Sequence, residues 1–127
     1  GHFNKHFYAA IGCLDSKEEV WCAQCIDSNP HVVTWVRNVP KDIKNSFWLP
    51  THKGNFYPDF VAKLDDGRVA AIEYKGEHLV TADDAKEKKL IGELWAKNSH
   101  GQCLFLMATA RDTQGLDLSE QIANLLQ

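Results

Sequence analysis

The sequence predicts an α/β fold in which a central mixed β-sheet is flanked by helices, in a single domain spanning residues 1–127. Three observations predict it. Apolar residues recur at helical spacing in three stretches, and they alternate or run on in several short stretches between them. The two kinds interleave along the chain as helix, strand, strand, hairpin, helix, strand, helix, which is the order of an α/β sandwich around one sheet. The middle of the chain, Phe56 to Lys75, reads as two strands, FYPDFVAKL and RVAAIEYK, joined by Asp65-Asp66-Gly67, with a sheet centre's composition.

Composition narrows the function classes. A chain of 127 residues buries a real core. A formal net charge of -3 argues against a surface coated in basic residues, so any nucleic-acid contact must be local. No apolar run is long enough to span a membrane and no secretory signal is visible, so a cytoplasmic protein with no membrane partner is expected. Four cysteines without a regular framework suit a reducing compartment and free thiols. There is no repeat, and no phosphate-binding G-x-x-x-x-G-K-[ST], so an ATP-driven function would need another domain. Gly1-His2 fits a remnant of tag removal and carries no structural weight.

The first helix runs from about Lys17 to Asp27. Asp15 or Ser16 stands where a cap is needed, with Glu18 or Glu19 three residues on as the acid of a capping box. Glu19, Cys22, Ala23 and Ile26 fall at i, i+3, i+4, i+7, so Glu19 begins the buried stripe. Cys22-x-x-Cys25 lies inside this helix, and only Cys13 and His31 are near enough in sequence to complete a zinc set. Small buried thiols account for the pair, and no structural zinc is expected. Asn29-Pro30 ends the helix. His31 to Asn38 follows as a strand with Val33, Trp35 and Arg37 on one face. Arg37 and Asn38, polar at the end of an apolar strand, either hold a loop by hydrogen bonds or face the site and touch phosphate. Pro40 to Ser46 reads as a polar loop, Phe47 to Leu49 as a short strand, and Pro50 to Asn55 as a turn.

The central hairpin carries the chemistry. Side chains alternate faces along a strand, so Glu73 and Lys75 point one way and Ile72 and Tyr74 the other. The turn decides whether Asp59 joins them. A two-residue Asp66-Gly67 loop would oppose Tyr74 to Asp59. A three-residue loop with Gly67 at positive φ opposes Glu73 to Asp59, and Asp-Asp-Gly favours that form. Two carboxylates opposed across a hairpin lie about 5 Å apart at Cβ, close enough to share one hard cation. The bland alternative is a solvated hairpin face with an incidental Lys-Glu pair. Against it, Val69, Ala71 and Ile72 before the acid, and Phe56 and Phe60 around Asp59, place the charges at the lip of a core.

After the hairpin, Thr81 caps a helix from about Ala82 to Asn98, with Asp83 and Asp84 in the first turn where the helix dipole favours them. Leu90, Ile91, Leu94 and Trp95 are expected to pack inward. Lys86, Lys88, Lys89 and Lys97 then face outward or sideways as a solvated face. Lys86 and Lys89 also lie near enough to the site to reach a phosphate. Cys103 to Ala108 (CLFLMA) reads as a buried strand too apolar for an edge, and Leu116 to Leu126 as an amphipathic helix with Ile122, Leu125 and Leu126 inward.

Pro58-Asp59 followed by Glu73-x-Lys75 resembles the PD-(D/E)XK nuclease signature. In many such nucleases an acid of the first helix also reaches the metal, which gives Glu19 a second reading beside its capping one. The neighbouring strings make the resemblance specific: W-V-R-N at Trp35 to Asn38, F-x-L-P at Phe47 to Pro50, F-Y-P-D-F at Phe56 to Phe60, D-G-R at Asp66 to Arg68, I-E-Y-K-G at Ile72 to Gly76, D-A-K at Asp84 to Lys86, and G-x-x-W at Gly92 to Trp95. Together they are similar to the C-terminal endonuclease domain of type III restriction enzyme restriction subunits, over about residues 7 to 110.

The resemblance implies a restriction-endonuclease-like fold and a Mg²⁺-dependent DNA endonuclease, with Mn²⁺ as a substitute. It implies Asp59, Glu73 and Lys75 in the site, the Tyr74 backbone carbonyl as a further metal ligand, and Glu19 on the metal or an outer water. It also implies a helicase domain, which this sequence lacks, and a modification methyltransferase subunit as partners beside DNA. The residue types agree with that chemistry, since carboxylates suit Mg²⁺ and a lysine suits the charge of a phosphate under attack. Three alternatives stand beside it. They are a catalytically silent nuclease-fold module binding DNA or protein, a transposon or repair nuclease of the same fold, and a glycosidase using Asp59 and Glu73 as its acid pair.

Overall fold

The computed structural model describes residues 3–5, 17–38, 46–76 and 82–127. Helix α1 (Lys17–Ser28) leads into β1 (Val32–Arg37). A small hairpin of β2 (Leu49–Thr51) and β3 (Gly54–Phe56) precedes the central hairpin of β4 (Phe60–Leu64) and β5 (Val69–Tyr74). Helix α2 (Ala82–Lys97), β6 (Cys103–Ala108) and α3 (Leu118–Leu125) follow. The main sheet has four strands in the order β1-β4-β5-β6. Its first two pairings are antiparallel and β5–β6 is parallel, with α2 as the crossover, so the sheet is mixed as the sequence predicts.

The hairpin turn sets the register of the site. Leu64 N–H donates to the Arg68 carbonyl at 2.9 Å, Gly67 N–H donates to the Leu64 carbonyl at 3.0 Å, and Gly67 sits at φ +90°. This is the three-residue loop, and the positive φ is what requires glycine there. Ala62 then opposes Ala70 and Phe60 opposes Ile72, and the register carries on to set Asp59 opposite Glu73.

Each face of the sheet has its own core. On one side Trp35, Phe60, Ala62, Leu64, Ala70 and Ile72 pack against Cys22, Ala23 and Ile26 of α1 and against Leu118, Ile122 and Leu126. The stripe expected for α1 is the one buried. On the other side Ala71 and Phe105 pack with Leu49 and Phe56 of the small hairpin and with Ile91 and Trp95 of α2. A shallow groove lined by Thr34, Val36, Val61, Lys63 and Val69 runs along the β1–β4 half of the sheet.

Several expectations are corrected. The strand expected from Phe56 to Leu64 begins only at Phe60, because Phe56 belongs to β3. The turn expected at Pro50 to Asn55 is instead most of a hairpin, pairing Leu49 with Phe56 and Thr51 with Gly54. Val33 does not share a face with Trp35: a bulge between Val32 and Thr34 turns Val33 outward, 57% exposed, while Val32 and Trp35 are buried. Leu90 and Leu94 do not pack inward but are 67% and 53% exposed. Strand β6 is an edge of the described sheet, and its apolar composition is explained by α2 and α3 covering it. Cys22, Cys25 and Cys103 are free thiols. Cys13, the caps expected at Asp15, Ser16 and Thr81, and the loop at positions 40–45 lie outside the described residues.

Candidate active site

The two acids of the hairpin meet where β4 begins and β5 ends. Asp59 N–H donates to Glu73 Oε1 at 3.0 Å, and Tyr74 N–H donates to Asp59 Oδ2 at 2.9 Å. The sequence explains this lock. Two residues beyond the Phe60–Ile72 pair the register would oppose Pro58 to Tyr74, and proline has no N–H for a ladder bond. The buried Pro58 has no N–H to give the Tyr74 carbonyl, the ladder ends there, and the Tyr74 N–H donates to the Asp59 carboxylate.

Arg37 braces Asp59 from the α1 side. Its Nη1 donates to the carbonyls of Asn38 and Asp59, both at 3.0 Å, and its Nη2 lies 3.5 Å from Asp59 Oδ1 and 3.7 Å from Glu19 Oε2. The guanidinium also stands over the Phe60 ring, 5.7 Å from its centroid. Glu19 is thus joined to Asp59 through a guanidinium. The buried Asn38 clamps Phe47, donating from its side-chain amide to the Phe47 carbonyl at 2.6 Å and accepting from the Phe47 N–H at 2.9 Å. Of the two readings for Arg37 and Asn38, the bonds seen are those that hold loops and backbone.

Lys75 lies one residue past β5, where its N–H donates to the Ala108 carbonyl at 2.8 Å. Its half-buried side chain makes no ion pair among the described residues. The end of β6 beside it is fixed by the buried Gln121, which accepts from Thr109 N–H at 3.1 Å and donates to the Thr109 carbonyl at 2.8 Å. Lys86 and Lys89 are exposed on α2.

Burial is the largest influence on both acids. It pushes the Asp59 carboxyl up, against the lowering effects of the Tyr74 N–H, Arg37 and Lys88. It pushes Glu73 up to about 9, with the charge of Asp59 adding to the rise and Lys88 opposing it. Two carboxylates this close and this desolvated resist ionising together. Burial likewise raises the Cys22 thiol, with Cys25 and then Asp59, Glu19 and Glu73 adding to it.

Lys88 is the residue that sequence reasoning misses. The sequence groups it with the solvated lysines, yet it is half-buried with its Nζ 5.3 Å from the centroid of the Phe56 ring, and its charge acts on both acids. The spacing of small residues narrows the choice: the buried Ala85 and Gly92, seven apart, mark the stripe of α2 nearest the sheet, and of the two lysines on it Lys88 is half-buried and Lys89 exposed.

Asp59 and Glu73 are thus the side chains that the fold brings together, and among the described residues no group of three or more His, Cys, Asp or Glu could hold a metal ion. Two half-buried carboxylates whose charges oppose each other are of the kind that one hard divalent cation would relieve. No family model, curated protein or solved structure matches this chain.

Proposed function

We propose that this chain is a Mg²⁺-dependent endonuclease domain acting on DNA, with a restriction-endonuclease-like fold and its site at Asp59, Glu73 and Lys75. The observation that carries the reading is the opposed acid pair, locked by Asp59 N–H on Glu73 and Tyr74 N–H on Asp59 and followed two residues later by a lysine. Asp59 and Glu73 would hold the cation, together with the Tyr74 carbonyl. When bound, that cation supplies Lewis-acid polarisation of a phosphate oxygen. Asp59 is fixed by the Tyr74 N–H and by Arg37 at the start of β4, which sets where the cation, and through it the phosphodiester, would be held. Glu73 sets the negative charge that balances the bound cation. Lys75 donates from Nζ to the phosphate as negative charge grows on its oxygens. Glu19 holds Arg37 in place, which keeps Asp59 aimed.

Cleavage of supercoiled plasmid in Mg²⁺, Mn²⁺ or EDTA tests the reading, with Asp59→Asn and Lys75→Ala alongside. Asp59→Asn removes a ligand charge and is expected to abolish both metal binding and cleavage. Lys75→Ala is expected to keep metal binding while cleavage falls by about a hundred- to a thousandfold, the usual cost of losing one preorganised charge-stabilising group. A Lys75→Ala protein that cuts as fast as its parent would assign the activity elsewhere.

The approach of Arg37 to Asp59 Oδ1 favours a second reading, a nuclease-fold module that binds DNA without cutting it, because a guanidinium stands beside an oxygen that a cation would use. Metal-independent DNA binding with no cleavage in any divalent ion would select that reading.

A further inference from the structure

Lys88 stands on the stripe of α2 that faces the sheet, between the buried Ala85 and Gly92. Residues at these spacings share one helix face, and of the two lysines on it Lys88 is half-buried while Lys89 is exposed. The ammonium rests over the Phe56 ring at 5.3 Å, a contact that desolvates it and fixes its direction. Lys88 makes no ion pair and no hydrogen bond among the described residues, so its three N–H donors are unspent. Its shelf, Phe56, packs in one cluster with Ala71, which stands two residues before Glu73 on the same face of β5, so the ammonium lies on the Glu73 face of the sheet. A half-buried ammonium beside two acids, but bonded to neither, is built for an anion that enters between them.

We propose that Lys88 is a phosphate-binding residue of this site, donating from Nζ to a nonbridging oxygen of the phosphodiester held at Asp59 and Glu73, opposite the side approached by Arg37. The inference rests on the phosphodiester reading above. It makes α2 part of the site, and the small hairpin too, because Phe56 of β3 is the shelf on which the lysine lies.

The alternative is that Lys88 only covers Phe56 with its stem and balances the acids internally. Lys88→Met separates the two, since it keeps an unbranched stem over the ring and removes the charge. Binding of a short fluorescein-labelled DNA duplex is measured in Ca²⁺ across a range of KCl, and plasmid cleavage in Mg²⁺. If Lys88 grips a phosphate, the slope of log affinity against log salt becomes shallower by about 0.9 in Lys88→Met. Lys88→Arg restores it. Cleavage falls by about a hundredfold in Lys88→Met. An unchanged salt slope would overturn the inference even if cleavage fell, because the lysine would then act only inside the protein. Should Lys88→Met not fold, Lys88→Gln gives the same comparison. A parent protein that neither binds nor cuts DNA would overturn the nuclease reading, and this inference with it. A parent that cuts, beside a Lys88→Met protein with the parental slope, would overturn this inference alone.

Discussion

At the scale of single residues, the chain is dominated by one unfavourable contact that the backbone imposes. Pro58 ends the ladder, Asp59 bends in to accept from Tyr74, and Glu73 is left sharing a half-buried corner with a second carboxylate. The sign of the pH effect follows. Glu73 is held up to about 9, above its ordinary value of 4.5, so the folded chain keeps a proton that the unfolded chain has released in between. Its contribution to stability is complete below the ordinary value and is lost as pH rises through about 9. Asp59, also raised by burial, acts in the same direction. Asp27 acts oppositely: burial raises it, but bonds from Trp35 Nε1 and the Lys5 and Asn4 N–H groups outweigh this and lower it, so its effect is confined to acid pH. Urea midpoints measured in EDTA are therefore expected to fall between mildly acid and alkaline pH. Glu73→Gln, uncharged throughout, should flatten that fall and gain on the order of 1–3 kcal/mol at alkaline pH, where each tenfold change in a protonation equilibrium is worth about 1.4 kcal/mol. A Glu73→Gln protein with the parental pH slope would place the titrating group elsewhere.

At the scale of elements, α2 shows both how far the sequence could be read and where it stopped. The central hairpin was legible because Asp-Asp-Gly has one good three-residue solution, and that solution fixes which acid opposes which. The burial of α1 was legible because its apolar stripe is the one that faces the sheet. On α2 there are two candidate stripes, and apolar periodicity cannot choose between them. The larger residues Leu90 and Leu94 suggest one, but the helix turns its small residues Ala85 and Gly92 to the sheet so as to lie close to Phe105. The β2–β3 hairpin was hidden for a different reason: His52-Lys53 is not a favoured two-residue turn, and a strand holding Pro50 does not look like one. Gly92 tests the close approach. A Cβ at Gly92 would stand 2.5 Å from three atoms of the Phe105 ring, which is itself buried. Helix propensity alone favours Gly92→Ala by about 1 kcal/mol. Overpacking of a buried ring costs typically about 1–3 kcal/mol, and here it should win. Gly92→Ala is expected to lower the urea midpoint. Pairing it with Phe105→Leu should recover part of the loss beyond additivity, as contacting residues do. A stabilised Gly92→Ala protein would mean that α2 does not sit this close to the sheet.

At the scale of the whole molecule, the site lies where the layers meet. Glu19 and Arg37 approach the acids from the layer of α1, Lys88 approaches from the layer of α2, and the sheet between them supplies Asp59, Glu73 and Lys75. The described residues include no helix long and apolar enough to cross a membrane. A site shared by three layers couples the charge of the acid pair to the stability of the entire fold, because the strain at Asp59 and Glu73 is present only when all three are assembled. A cation that binds only the folded chain must then stabilise it, by about 2.7 kcal/mol at a hundredfold excess over its dissociation constant. Proton linkage adds a second signature. On the endonuclease reading Glu73 would lose its proton to bind a cation, so Mg²⁺ should bind more weakly at mildly acid pH than at alkaline pH, where less of Glu73 is protonated. The expected outcome is a rise in thermal midpoint with Mg²⁺ or Mn²⁺ that grows with pH and is absent in Asp59→Asn. Lys88→Met should retain it, since that substitution removes a positive charge near the acid pair and leaves both carboxylates in place. This measurement needs no DNA and no turnover, so it separates metal binding from cleavage. Equal midpoints with and without divalent cation at alkaline pH would mean that Asp59 and Glu73 do not hold a metal, and the endonuclease reading would fall.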